Sequence, residues 1–538
     1  MRVVAMILLA VGGAGALACL VVRTLYLLHM LQLEEYGARA LMRWSAGHAR
    51  RLVANPWVDL LAIAGLLVLV LRPDSFRSLW FAGCIAALLG IAGFLMEWRL
   101  TRRTPAKKRL VMTGRAWRLL SSTMVVDVGL VAVGWCRSES TGLAVLAILP
   151  LAAPVVLLVG RMLMEPVEAF IRRWFIRDAQ RILAQYDPIV IGVTGSYGKT
   201  STKYFIEQLV QSHYRVLKTP ASYNTAMGIT RTIREQLRPE HEVFVVELAE
   251  NEPGGFAHLL AIVPCDISVV TSVGIQHLEE FGSADVIERT MKDFVTMPQS
   301  GKTVILNGDD PLLAQVSSVQ GKTLIRVSTN GSDATGELCA DNIVAGSDGL
   351  AFEVRDPVEQ RDYQFTTRVL GRYNVVNVLL ALAVARQLDI PWEDLRAGVS
   401  LLKSPSHRLE VLTTSPGVRV IDDAFNANPV GFAMAMEVLA SFPPRRILVT
   451  PGLVSLGRLE DAANREAGMQ AGRAADLVVL VGVRHTQPLR DGLIAAGFPE
   501  EAIVSAHSLD EVTRLIGEIV RPGDTVLFEN DLPDTYNE

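Results

Sequence analysis

The sequence predicts an α-helical membrane domain followed by an α/β protein: a central P-loop ATPase-type domain with a parallel sheet, then a smaller C-terminal α/β domain. Three observations carry this. Half of the 538 residues are hydrophobic and only 20% are charged, with a mean hydropathy of +0.30. That is too apolar for disorder, and the composition excludes collagen-like repeats and small disulfide scaffolds. Charge is divided along the chain: through Arg181 there are 22 basic and 10 acidic residues, beyond it 30 and 46, so a net −4 conceals halves of about +12 and −16. The basic half holds nearly all of the long apolar runs, while the acidic half opens on a strand–glycine–helix pattern.

In the first half, apolar stretches run from Val3 to Val22, Val53 to Leu71, Leu79 to Met96, Leu119 to Cys136 and Thr141 to Gly160. Each approaches the ~20 residues a helix needs to cross hydrocarbon, which predicts about five crossings within residues 1–164. The first run lacks a basic n-region beyond Arg2 and precedes four more, so it reads as a membrane helix rather than a cleaved signal. Lys and Arg concentrate after the first run and after the third, including Arg99, Arg102, Arg103, Lys107, Lys108, Arg109, Arg115 and Arg118. By the positive-inside rule this places the N-terminus outside and the second half in the cytoplasm. Residues 165–186 alternate Val167, Phe170, Ile171, Trp174, Ile182 and Leu183 with Arg172, Arg173, Arg177 and Arg181. The spacing predicts an amphipathic helix, lying on the anionic leaflet or packed on the next domain.

Asp187-Pro188 breaks that pattern, and IVIGVTG reads as a buried strand entering SYGKTS and the helical KYFIEQLVQ. This is the context a phosphate loop needs: Gly195 and Gly198 let backbone N–H groups approach phosphate oxygens, Lys199 reaches the terminal phosphates, and Thr200 offers a hydroxyl to Mg²⁺. Val193 stands where the first glycine of the usual loop would be, leaving the shorter TGxxGKTS. Downstream, VFVVELAENEPGG and DISVVTSVGIQHLEEFG read as strands whose polar tips, Glu247 and His277, fall at the end where doubly wound sheets place their chemistry. The five cysteines are scattered without a CxxC pair, which suggests buried thiols rather than zinc ligands.

TGSYGKTS, ASYNTAMG, VVELAENEPG, SVGIQHLEEFGS, LNGDD, GRYNVVN, HRLE and IDDAFNANP occur in that order. In this the chain resembles the Mur ligase family, ATP-dependent amide-forming enzymes of peptidoglycan synthesis, and most closely its D-alanyl-D-alanine-adding branch, MurF. The resemblance implies that Thr194, Gly195, Ser196, Gly198, Lys199, Thr200 and Ser201 bind ATP. It implies that Thr200 and Glu247 hold one Mg²⁺ ion and His277 a second. Asn374 and Asn377 would lie near adenine; Arg408, Asp423 and Asn426 would reach the nucleotide from the last domain; Asn224 and Asn428 would meet substrate. Members of this family also use a lysine carbamylated by CO₂ as a metal-holding group, and Lys292 is the candidate.

The departures bear on substrate. Membrane helices occupy the place of the domain that grips the uridine nucleotide of the precursor, Phe425 stands where the family has Tyr, TPGLVSLG lacks an acid the family carries, and Glu529 and Asp531 put negative charge near a normally basic end. The resulting organisation is a transmembrane domain at 1–164, an interfacial helix at 165–186, a central ATP-binding domain at 187–403 and a C-terminal domain at 404–538. The implied function is a membrane-bound ligase that joins an amino acid or dipeptide to a carboxylate on a cell-envelope precursor. The alternatives are a polymer ligase like those for poly-γ-glutamate and a ligase for a lipid-linked precursor. Nucleic acid is not an expected partner.

Overall fold

A computed structural model describes residues 2–33, 36–37, 42, 55–71, 76–103, 109–249, 254–274, 284–329, 338–414, 417–425, 427–454, 456–482, 485–507 and 509–531. The chain divides into two compact units between Arg172 and Arg173.

The first unit is helical. Apolar helices α1 (Arg2–Leu33), α2 (Pro56–Leu71), α3 (Phe76–Arg103) and α4 (Gly114–Arg137) are followed by α5 (Glu139–Tyr186). Among the described residues four spans, within α1, α3, α4 and α5, are long and apolar enough to cross a membrane; α2, with 16 residues, is shorter. Small residues let α1 and α3 touch backbone to backbone: a Cβ on Gly12 would lie 2.7 Å from the carbonyl carbon of Ala86, and one on Gly15 2.7 Å from that of Gly90. Such contacts hold apolar helices together where no hydrophobic driving force separates them from lipid. A buried polar group fastens the same bundle, with Asn55 Nδ2 donating to Glu97 Oε2 at 3.0 Å and Arg23 3.9 Å from the same oxygen.

The expected amphipathic segment is the end of α5, continuous with the last apolar run rather than a separate helix. The division between units falls inside it, between the expected boundaries at 164 and 186. Its final turns carry Ala179 and Leu183 into the core of the second unit, with Ile182 and Tyr186 packed alongside.

The second unit contains two sheets. The first has nine strands in the order β2-β3-β1-β4-β5-β6-β7-β8-β9. Strands β1 (Ile189–Thr194), β2 (Val216–Lys218), β3 (Val243–Glu247), β4 (Ile267–Val270), β5 (Thr303–Asn307) and β6 (Thr323–Ser328) are parallel. Runs such as VFVVE are buried throughout, as sheets covered on both faces require. The sheet continues through β7 (Leu338–Gly346), β8 (Gly349–Asp356) and β9 (Arg361–Thr367). Helix α6 (Lys199–Val210) and the almost wholly buried α10 (Asn374–Gln387) pack on one face; between them in sequence lie α7 (Ala226–Gln236), α8 (Gly255–Ile262) and α9 (Ala284–Thr296).

After α11 (Trp392–Ser400) a six-stranded sheet runs β10-β11-β15-β12-β13-β14. Strand β10 (Glu410–Thr414) is antiparallel to β11 (Val418–Asp423); β15 (Thr525–Glu529), β12 (Arg446–Thr450), β13 (Leu477–Val481) and β14 (Ile503–Ala506) continue in parallel. In the first sheet β1 and β4 are neighbours, and the connection leaving β1 leads to β2 on one side while that leaving β4 leads to β5 on the other. That is the switch point at which doubly wound sheets open a crevice for ligands.

Candidate active site

The loop after β1 turns on two glycines whose φ values, +135° for Gly195 and +80° for Gly198, L side chains rarely adopt. Residues that follow β4 clamp it: Ser196 N–H donates to the Ser272 carbonyl at 2.8 Å, Tyr197 N–H to Ser272 Oγ at 2.8 Å, and Gly274 N–H to Ser196 Oγ at 2.7 Å. Lys199 curls back over the loop, Nζ donating to the carbonyls of Gly195 (2.6 Å) and Ser196 (2.9 Å). Burial pushes its ammonium down to about 8; Glu247 opposes that shift and Arg408 adds to it.

The parallel register sets Glu247, at the tip of β3, beside Val193. Its carboxylate is 1% exposed and collects three donors. Thr200 Oγ1 and Lys203 Nζ each reach Oε2 at 3.0 Å, and Asn224 Nδ2 reaches Oε1 at 3.1 Å. Lys203, fully buried, also donates to the Ala221 carbonyl, and burial pulls its ammonium below the ordinary lysine range. Sequence reasoning missed this residue. The available signal was spacing: Lys203 lies four positions after Lys199, on the same helix face.

A hydroxyl and a carboxylate side by side form a hard-oxygen pair suited to Mg²⁺, which uses few protein ligands and fills its octahedron with water and phosphate oxygens. Among the described residues no group of three or more His, Cys, Asp and Glu side chains could hold a metal; Thr200 and Glu247, 3.0 Å apart, are a pair that fits Mg²⁺.

Asn377 and Asn374 brace the loop from α10. Thr202 Oγ1 donates to Asn377 Oδ1 at 3.2 Å, Asn377 Nδ2 to Asn374 Oδ1 at 2.8 Å, and Asn374 Nδ2 to the Leu370 carbonyl at 2.7 Å. A Cβ on Gly198 would lie 2.5 Å from Asn377 Oδ1. Gly198→Ala is therefore expected to weaken ATP binding at least about tenfold, through both strain and displacement of Asn377. Equilibrium titration with a fluorescent ATP analogue checks this, and unchanged affinity would show that the loop does not depend on this close approach.

The second sheet contributes from its carboxyl edge. Asp423 ends β11, its Oδ1 accepting from Leu409 N–H at 3.2 Å. Burial lifts its carboxyl from 3.8 to about 6, against the pull of Arg408. Arg408 stacks over Phe425, 4.4 Å from the ring centroid, and its charge is felt at Lys199, Lys203, Tyr373 and Asp423. Arg408, Asp423 and the loop therefore share one electrostatic environment.

Glu529, read from the sequence as negative charge near the end of the chain, is a buried side chain beside Asp423 in the parallel register, and burial followed by the Asp423 charge raises its carboxyl well above the usual range. Such groups stay protonated in the fold at pH values where the unfolded chain releases them. Their stabilising contribution is complete below the unfolded value and is lost as pH rises through the folded one. Glu529→Gln is expected to flatten the fall in thermal unfolding midpoint between pH 5 and pH 8; a slope equal to that of the parent chain would contradict the assignment.

The structure places four more of the expected site residues. Lys292, on the middle of α9, bonds Glu288 Oε1 at 2.5 Å across one turn and is largely exposed. Asn428 caps α12 (Pro429–Ala440), its Oδ1 accepting from Gly431 N–H at 2.9 Å. Ser201 sits in the first turn of α6. Thr194 is buried at the end of β1. His277 and Asn426 lie outside the described residues.

Two family matches cover this region: the Mur ligase middle domain over residues 193–385 and the Mur ligase glutamate ligase domain over 407–529. The UDP-N-acetylmuramoyl-tripeptide--D-alanyl-D-alanine ligase of Mycobacterium tuberculosis is 32% identical over 363 residues, covering 63% of this chain and 70% of that one. The chain belongs to the Mur ligase family. The enzyme of the same name from Bacillus subtilis is 30% identical over 293 residues, 54% of this Mur ligase and 62% of its relative, so less than two thirds of that relative's length is matched. Among solved structures, MurF of Thermotoga maritima in complex with ADP superposes with a TM-score of 0.58 at 24% identity, covering 67% of this chain and 80% of that one. A MurF from Acinetobacter baumannii gives 0.60 at 24%, covering 68% and 78%. At this identity these two establish the fold of the second unit.

Proposed function

We propose that this Mur ligase is a membrane-tethered, ATP-dependent amide ligase that works on a peptidoglycan precursor at the cytoplasmic face of the bacterial inner membrane. The observation that carries the reading is the packing of Lys199, Thr200 and Glu247 into one cluster at the carboxyl ends of β1 and β3. A carboxylate is a poor electrophile. Its oxygen must first take the γ-phosphoryl group of ATP, with ADP leaving, before an amine can attack the acyl phosphate, expel phosphate and lose a proton.

The residues divide this work. Lys199 offers positive charge where charge accumulates during phosphoryl transfer. Thr200 and Glu247 would hold Mg²⁺, which when bound neutralises phosphate charge. Arg408 brings a further cation from the second sheet. Holding acid, phosphate and amine together supplies on the order of 7–11 kcal/mol of barrier lowering. A second Mg²⁺ with His277, and a carbamylated Lys292, remain part of the proposal through the family resemblance; Asn224 and Asn428 remain its substrate residues.

The membrane reading is supported by four apolar spans of sufficient length and by the outward-facing Leu88, Val125, Val128, Val133 and Val155, which would be costly in water. The names of the relatives support D-alanyl-D-alanine as the acceptor; a single amino acid is the alternative. The donor is a uridine-linked or lipid-linked peptide carboxylate, and the membrane spans favour the lipid-linked form.

The test is ATP-dependent phosphate release and product mass spectrometry with both donors crossed against D-alanyl-D-alanine and single amino acids. An amide product with either donor supports the reading, and none with any pair overturns it. Retention of the full chain in membranes after alkaline carbonate washing checks the tether independently.

A further inference from the structure

Outside the ligase site, a cluster of arginines lies where α1, α4 and α5 come together in the first unit. Four guanidinium groups, Arg115, Arg118, Arg161 and Arg172, share two carboxylates, Glu165 and Glu168. The pairing is unequal. Arg118 takes Glu168 with two bonds, 2.6 Å to Oε1 and 3.1 Å to Oε2, and Arg172 takes Glu165 at 2.7 Å. Arg115 and Arg161 stay at 4.0 Å and 3.8 Å from carboxylates already engaged.

Both surplus cations are instead fixed on Tyr36, Arg115 stacked 4.2 Å from the ring centroid and Arg161 Nε donating to the carbonyl at 3.0 Å. Tyr36 is itself held: its N–H reaches the Leu31 carbonyl at 2.7 Å, and its hydroxyl lies 3.4 Å from Thr113 Oγ1. Gln32 ties the same strip together, accepting from Val111 N–H at 2.9 Å and donating to the Val111 carbonyl at 2.8 Å. Among the described residues the cluster therefore carries about two net positive charges on side chains oriented before any ligand arrives, and all four arginines keep a quarter to a third of their surface accessible.

Its surroundings identify the depth. Trp117, on the same turn as Arg115 and Arg118, is 57% exposed, and Met162, Leu163 and Phe170 on α5 are exposed at 60% or more. Exposed tryptophan and large apolar side chains among arginines mark the level where acyl chains give way to headgroups. A ligand must then present phosphate to the arginines and hydrocarbon to the neighbouring surface. A phosphodiester lipid carries one negative charge; a prenyl-type diphosphate ester carries two or more and offers oxygens for bidentate bonds from separate guanidinium groups.

We propose that Arg115 and Arg161, with Arg118 and Arg172 beside them, form a binding site for the diphosphate headgroup of an isoprenoid lipid. This rests on the membrane reading above, and it extends the lipid-linked donor from a preference to a located contact.

The test uses the full chain in detergent micelles and measures affinity by native mass spectrometry for four probes: farnesyl diphosphate, farnesol, inorganic pyrophosphate and phosphatidylglycerol. Farnesyl diphosphate is expected to bind tightest. Arg115→Gln/Arg161→Gln, which leaves the Arg118–Glu168 and Arg172–Glu165 pairs in place, is expected to lose at least about tenfold of that affinity while binding a fluorescent ATP analogue as the parent does. Equal affinity in parent and double variant would overturn the site. Equal binding of phosphatidylglycerol would overturn the diphosphate, and equal binding of inorganic pyrophosphate would overturn the lipid. Because no turnover is needed, a chain that forms no amide but binds farnesyl diphosphate would refute the ligase reading alone.

Discussion

Lys199→Ala is expected to lower ATP-dependent amide formation by roughly 10²–10³-fold or more, the scale seen when one preorganised charge-stabilising donor is removed from an active site. The loss should be catalytic rather than structural. Among the described residues the ammonium bonds the carbonyls of its own loop, Gly195 and Ser196, and the clamp from Ser272 and Gly274 is independent of it. The unfolding midpoint should therefore move little while turnover collapses. Lys199→Arg is not expected to rescue, because a planar fork cannot replace a compact ammonium in a loop this close-packed. Initial rates at saturating ATP with mass-spectrometric product detection decide it. Turnover within tenfold of the parent would remove Lys199 from the chemistry and with it the strongest support for phosphoryl transfer at this loop.

What the sequence made legible was local. Gly195, Gly198, Lys199 and Thr200 fall within six residues, and strand, turn and helix follow one another directly, so short-range pattern reasoning could propose them together. Glu247 was legible because parallel sheets place chemistry at strand tips. Contacts made across the sheet were not legible. Nothing in SVG shows that Ser272 clamps Tyr197, because that bond joins residues 75 positions apart.

Burial was equally hidden. Glu529 reads as a charge near the end of the chain, yet the register sets it beside Asp423 between β11 and β12. Asn428 was read for its neighbours in the motif, whereas its side chain caps a helix. In the first unit, period and length gave the apolar helices, but the sharing of two glutamates among four arginines arises from tertiary placement of α4 against α5.

Lys203→Met is expected to cause the largest loss of stability among these substitutions. Lys203 and Glu247 form an ion pair with side chains 0% and 2% exposed. Removing one partner of such a pair typically costs about 3–5 kcal/mol, because the other charge stays buried without compensation. Methionine fills a similar volume, so packing loss is a minor part. Adding Glu247→Gln to Lys203→Met removes the stranded charge and should recover much of the stability, a non-additivity that a double-mutant cycle measures directly.

Function should separate from stability in the same experiment. In Lys203→Met the carboxylate keeps Thr200 and Asn224 but loses its third anchor, so the Mg²⁺ concentration for half-maximal rate should rise with any turnover that remains. The double variant, better folded but without a carboxylate to hold the cation, should be slower still. Thermal unfolding and Mg²⁺ titration of the two variants would then rank them in opposite orders. If both measurements rank them alike, Lys203 acts through folding alone and does not position Glu247 for metal.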